Sequence, residues 1–100
     1  MKVDIPFLPR WQSQMLEGRK TCTARTTRWG SVGDTFEKSG ATFVIVNVLA
    51  LPLKEVAEIW FEKEGVSSPE EYRAVWKGLH RFKGYVPDQI VWLHEFKRVP

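Results

Sequence analysis

The chain reads as α+β, a small antiparallel or mixed β-barrel with helices flanking it. Three observations predict this. The elements run α-β-β-β-α-α-β, with no long crossover to support a fully parallel sheet. Ala41 to Leu51 is an apolar, β-branched run bounded by turn residues. Two stretches, Pro6 to Glu17 and Ser68 to Leu79, carry apolar residues at helical spacing.

The opening helix is expected over Pro6 to Glu17. Phe7, Trp11 and Met15 recur every fourth residue, and Leu8 and Leu16 widen the stripe. Pro9 fits the first turn, where its missing N–H costs nothing. Gly18 ends the helix, because glycine takes the left-handed conformation at little cost. A Thr-rich strand follows over Arg19 to Thr27, then a polar loop through Trp29 and a turn at Val32-Gly33-Asp34. Thr35 to Lys38 and Ala41 to Leu51 flank Ser39-Gly40 and read as a hairpin. The second of these strands is apolar at nearly every position, which predicts burial on both faces for much of its length.

A second helix is expected from Pro52-Leu53 to about Glu64, with Val56, Ile59, Trp60 and Lys63 on one face and Gly65 as its cap. Ser68-Pro69-Glu70-Glu71 is the strongest local signal: an N-cap serine, proline at N1 and glutamate at N3, a capping box. The helix it opens is predicted to bury Tyr72, Val75, Trp76 and Leu79. Gln89 to Val99 forms the last strand, with Ile90, Trp92 and Phe96 opposite Val91 and Leu93.

One hundred residues make one domain, residues 1–100. Apolar content of 43% and charged content of 27% fit a folded chain rather than a disordered one. A lone cysteine excludes an internal disulfide and offers no zinc spacing, so no metal or other cofactor is expected and a reducing, cytoplasmic setting is the default. The longest apolar run is too short to span a bilayer, and the N-terminus lacks a signal-peptide core. A net charge of +3 permits an anionic partner such as a nucleotide or RNA without requiring one.

Gly18-Arg19-Lys20-Thr21-Cys22-Thr23-Ala24-Arg25 holds the richest chemistry. It sits at a helix–strand junction, where functional side chains tend to be displayed. Taken with Gly33-Asp34, Glu64-Gly65, Ser68-Pro69-Glu70-Glu71 and a closing strand that ends near Phe96, the block G-x-K-T-x-T-x-R resembles the ASCH (activating signal cointegrator homology) domain of the PUA-like superfamily. The resemblance implies a barrel with a cleft for RNA or a nucleoside-like ligand. It is similar to a small single-domain branch of amidohydrolases that remove an acyl group from N4-acylated cytidine. By that resemblance Lys20 is the base, Thr23 the nucleophile and Glu64 the acid or orienting group, and Arg25 holds the substrate. Thr21, Arg28 and Trp29 are further candidates for contact with substrate or RNA. An RNA-binding module without catalysis, or a metal-independent ribonuclease using the same basic cleft, is the alternative.

The residues also carry ordinary readings. Lys20 desolvated beside Arg25 becomes a general base, whereas at a solvated strand end it is only a surface cation. Thr23 is a nucleophile if a base takes its proton, and otherwise a packing residue. Strict alternation places Lys20 and Thr23 on opposite faces, so they meet only if the strand bulges after Gly18. Glu64 in the last turn of a helix meets the negative end of the dipole, which raises its pKa. Its alternative is a surface glutamate beside Glu58 and Glu62. Cys22 reads as a small packing residue and His80 and His94 as surface or supporting groups. Trp29 either stacks on a base or packs in the core.

Overall fold

The computed structural model describes residues 1–100. Its elements are α1 (Pro9–Leu16), β1 (Cys22–Arg25), β2 (Thr35–Lys38), β3 (Ala41–Pro52), α2 (Leu53–Ile59), α3 (Pro69–Leu79) and β4 (Ile90–Arg98). The four strands form one antiparallel sheet in the order β1-β4-β3-β2, curled into a half-barrel. The only parallel contact is an isolated bridge between Lys2 and Thr35. The α+β class and the order of elements are those read from the sequence.

Local chemistry explains most boundaries. α1 starts at Pro9 rather than Pro6, because the residue before a proline is driven out of the helical region. Leu8 accordingly sits in extended backbone at ψ 150°. Trp11 and Met15 are buried as the spacing predicted, but Leu8 and Leu16 face solvent. Gly18, at φ +79°, closes α1 with paired hydrogen bonds, Gly18 N–H to Met15 O and Arg19 N–H to Gln14 O. This is a Schellman cap. Lys20 N–H also donates to Gln14 O, so residues 19 and 20 belong to the cap and β1 begins only at Cys22.

The β2–β3 hairpin turns at Ser39 and Gly40, both at positive φ, the geometry that suits a two-residue turn. β3 is not buried on both faces. Its first half alternates, burying Ala41, Phe43 and Ile45, and the register then shifts between Ile45 and Asn47. The extra residue, Val46, is exposed, and the shift bends the strand. α2 stops at Ile59, earlier than expected, and residues 60–65 continue as turns. It buries Leu53, Val56 and Ala57, whereas Ile59 points to solvent. In α3 Ser68 Oγ accepts from Glu71 N–H as the capping box requires. The Glu71 carboxylate reaches back to Ser67 N–H, one residue earlier than the usual partner.

Two apolar clusters hold the sheet. One packs α2 and α3 over Cys22, Ala24, Val91 and Leu93. The other gathers Ile5, Met15, Phe36, Phe43, Ile45 and Phe96. In the second, Phe36 stacks on Phe43 at 5.5 Å and Phe96 meets both edge-on. Phe96 thus lies opposite Val91 and Leu93 on β4. α1 contributes to both clusters, Trp11 to the first and Met15 to the second.

Candidate functional site

α1, β1, α3 and the loop after β1 enclose a cavity of about 450 Å³. This lies within the range of small-molecule sites, roughly 300–1,000 Å³. Its apolar walls include Trp11, Val66, Tyr72, Trp76 and Leu79, and its polar groups include Lys20, Thr23, Arg25 and Glu64. Val75 and Leu79, expected in the core, instead face this space, and Leu79 is exposed.

Lys20 and Glu64 meet at 2.9 Å between Nζ and Oε1, although 44 residues separate them. They are 4% and 6% exposed. Two backbone devices bring them together. After the α1 cap, the amides of Thr21 and Cys22 both donate to Lys63 O, a bulge-like convergence that bends the chain as it enters β1. The Lys20 stem then folds back, so that Nζ donates to Cys22 O at 2.9 Å. From the other side, Gly65 at φ +98° reverses the chain after Glu64. At that φ any side chain is strained, and a Cβ would also push aside the end of the Gln14 side chain. The reversal turns both the Glu64 carboxylate and the Glu64 carbonyl toward Lys20, and the carbonyl accepts at 2.9 Å.

Each of the three ammonium donors of Lys20 therefore has an acceptor: Cys22 O, Glu64 O and Glu64 Oε1. Nζ also lies 5.2 Å from the centroid of the Trp11 ring. The sequence offered Lys20 two neighbours, Arg25 and Glu64; its charge is matched by Glu64. The second carboxylate oxygen of Glu64 accepts from Ala24 N–H at 2.9 Å and Tyr72 O–H at 3.3 Å. Glu64 thus lies beyond the end of α2, not in its last turn. The helix-dipole argument does not apply, and direct donors define its surroundings.

Thr23 is 4% exposed and lines the same cavity. Its Oγ1 accepts from Arg25 Nε at 3.0 Å and makes no hydrogen bond to Lys20. The Arg25 guanidinium is fixed by Pro6 O at 2.6 Å and lies over the Phe7 ring at 4.9 Å. Burial lowers its pKa, with the nearby Glu64 charge opposing. Trp29 lines the cavity and is partly exposed. Thr21 and Arg28 are not brought to the cavity. Thr21 lines a separate polar groove with Arg19, Lys63 and Glu71. Arg28 spends its donors on Gly30 O and Ser31 Oγ and lies over Trp92. The convergence of the Thr21 and Cys22 amides on Lys63 O breaks the alternation that would have put Thr21 on the face of Thr23.

Several neighbours of the site were not assigned to it from sequence. Tyr72 and Trp76 read only as core positions, yet they form the α3 wall, and His80 stacks on Trp76 at 4.0 Å. Their i, i+4, i+8 spacing is a stripe that the sequence displays. His94 had no such signal. Of the two readings the sequence left it, surface or supporting group, the structure gives the second: it is fully buried on β4, opposite Thr23. Its Nε2 accepts from Trp29 N–H at 3.1 Å, so Nδ1 carries the proton and faces Thr23 O at 3.4 Å. Burial lowers the His94 pKa; Arg25 and Arg28 push the same way, and the hydrogen bonds to the Thr23 and Trp92 backbone oppose it. A neutral imidazole thereby ties the Trp29 loop to the strand that carries Thr23. Cys22 is buried beneath the site. Burial, then the Glu64 charge, pushes its thiol far above the ordinary range, which leaves it a packing residue. No group of three or more His, Cys, Asp and Glu side chains is placed to hold a metal ion, and no helix is long and apolar enough to cross a membrane.

No protein-family model matches the chain, and no curated protein matches it in sequence. Solved structures do match in fold. An ASCH domain from Lactobacillus crispatus is 16% identical and superposes at TM-score 0.70, covering 97% of this chain and 79% of that one. An ASCH protein from Zymomonas mobilis is 9% identical at TM-score 0.68, with 97% and 69% covered. A hypothetical protein, 20% identical, superposes at TM-score 0.74 over 99% of this chain and all of that one. The chain has the ASCH-domain fold.

Proposed function

We propose that the cavity binds a nucleoside-like ligand and that the protein is a hydrolase that removes an acyl group from the exocyclic amine of a cytidine-type base. One observation carries the reading. A buried amine and carboxylate are brought together on the wall of a nucleoside-sized cavity that also presents a threonine hydroxyl and a guanidinium. Burying such a pair gains the fold little, because desolvation offsets the attraction. On the cavity wall the same pair is placed for proton transfer to and from a bound ligand.

In this reading Thr23 Oγ1 attacks the amide carbonyl carbon, with Arg25 fixing the oxygen and stabilising negative charge. Lys20 first passes a proton to Glu64 along their 2.9 Å hydrogen bond. The freed amine then takes the proton of Thr23 as the C–O bond forms. The C–N bond breaks, Glu64 gives its proton to the leaving amine, and an acyl ester remains on Thr23. Water hydrolyses the ester, releasing the carboxylic acid and restoring the hydroxyl. Supplying purified protein with N4-acetylcytidine should release cytidine, and Thr23→Ala and Glu64→Gln should each abolish release. Absence of turnover in the wild-type protein, or turnover retained in both variants, overturns the reading.

A specific observation favours a second reading. All three Lys20 donors are engaged before any ligand arrives, and the partly exposed Trp29 offers a stacking surface at the cavity. These features support an RNA-binding module in which Arg25 contacts the strand and Trp29 stacks on a base. That reading requires single-stranded RNA binding that weakens as salt rises and in Trp29→Ala. Binding indifferent to both opposes it.

A further inference from the structure

The two oxygens of Glu64 have different partners. Oε1 accepts from Lys20 Nζ at 2.9 Å. Oε2 accepts from the Ala24 N–H of β1 at 2.9 Å and from the Tyr72 hydroxyl of α3 at 3.3 Å. A carboxylate oxygen has about two lone-pair sites, so both sites on Oε2 are filled. Cys22 and Arg25 feel the Glu64 charge without hydrogen-bonding to it. Tyr72 is 5% exposed, belongs to the first apolar cluster and lies 6.4 Å from the Trp76 ring, so its hydroxyl is held in place. Burial, then the Glu64 charge, pushes its phenol well above the ordinary range. It therefore stays protonated and serves the ionised carboxylate as a donor.

We infer that Tyr72 is a positioning residue that gives the two Glu64 oxygens separate roles: with its hydroxyl on Oε2, a proton taken up by Glu64 rests on Oε1, the oxygen that meets Lys20. The inference rests on the reading of Glu64 as the proton carrier and adds what directs the proton. In that reaction the proton leaves Lys20 Nζ, rests on Oε1 and passes to the leaving nitrogen. Without the Tyr72 hydroxyl one site on Oε2 opens, and a proton that settles there is away from Lys20. The hydroxyl also donates to the charged form of the carboxylate, so its loss makes Glu64 easier to protonate.

The test is Tyr72→Phe, which keeps the ring and removes the hydroxyl. With N4-acetylcytidine as substrate, the acid limb of the kcat/KM profile should move up by about one pH unit, the effect of one hydrogen bond to a charged group. The alkaline limb, where Glu64 is ionised on both sides, should stay in place. A merely structural loss lowers the rate at every pH and moves neither limb. A second measurement needs no turnover. Urea unfolding near pH 7 of wild type, Tyr72→Phe, Glu64→Gln and the double variant closes a cycle. Tyr72→Phe should raise the unfolding constant about tenfold more in the wild-type background than in Glu64→Gln, where the acceptor is neutral. An acid limb that stays in place in an active Tyr72→Phe enzyme, or equal cost in the two backgrounds, overturns the inference while the hydrolase reading stands. If the wild-type protein releases no cytidine, the hydrolase reading falls, and the cycle alone decides whether Tyr72 acts on the Glu64 charge.

Discussion

Replacing Lys20 by methionine removes one charge of the buried pair and keeps a stem of similar shape against Trp11. Glu64 Oε1 then loses its donor, the carbonyls of Cys22 and Glu64 lose theirs, and a carboxylate that is 6% exposed has no countercharge in contact. Breaking a buried pair from one side costs about 3–5 kcal/mol. A domain of this size has about 5–15 kcal/mol in all. The midpoint of thermal unfolding should therefore fall by roughly 12 °C or more, at about 4–8 °C per kcal/mol. Glu64→Gln keeps an oxygen for the Ala24 amide, and the double variant Lys20→Met/Glu64→Gln removes both charges. Urea unfolding of the four proteins closes a double-mutant cycle. The double variant should cost about 1–3 kcal/mol less than the sum of the singles. If Lys20→Met lies within about 1 kcal/mol of wild type, the pair behaves as an exposed one, and the argument that it is desolvated is wrong.

Gly65→Ala should cost about 2–4 kcal/mol in urea unfolding, from a left-handed backbone and a Cβ driven into Gln14; adding Gln14→Ala should recover the steric part and leave the backbone part. Ser68→Ala should cost about 1 kcal/mol, because the Glu71 amide loses its cap, and an unchanged denaturation midpoint would show that the Ser67–Glu71 contacts suffice alone. The His94 pKa is lowered in the fold, so its contribution is full above the unfolded value near 6.5 and is lost as pH falls from there through the folded value. Stability measured from pH 7.5 to 5 should therefore decline more steeply in wild type than in His94→Gln, and parallel profiles would contradict the buried neutral imidazole.

Features that depend on a few adjacent residues are legible in the sequence. The Gly18 cap, the Ser39-Gly40 turn, the Ser68 N-cap and the Phe96 phase on β4 are each set by local sterics or alternation. Signals that assumed regularity failed where the chain departs from it. An apolar run predicts two buried faces for β3, yet after the shift at Val46 most of its residues are only partly buried and two are exposed. The helical pattern runs on to Glu64, because spacing alone does not reveal that the chain bends at Trp60 and closes in turns over residues 61–65.

The candidate site divides along the same line. Residue types and their order determined that a lysine, a threonine and an arginine would cluster at one junction and that a glutamate would precede a glycine turn. A local motif can state this, because capping and turn geometry act over a few residues. Only the tertiary structure decided which of those groups touch. It paired Lys20 with Glu64, gave Thr23 to Arg25, sent Thr21 and Arg28 elsewhere and placed Trp76 and His94 against the site. Contacts between distant segments depend on how a bulge and a glycine reversal aim side chains across the interior. No run of adjacent residues encodes that aim.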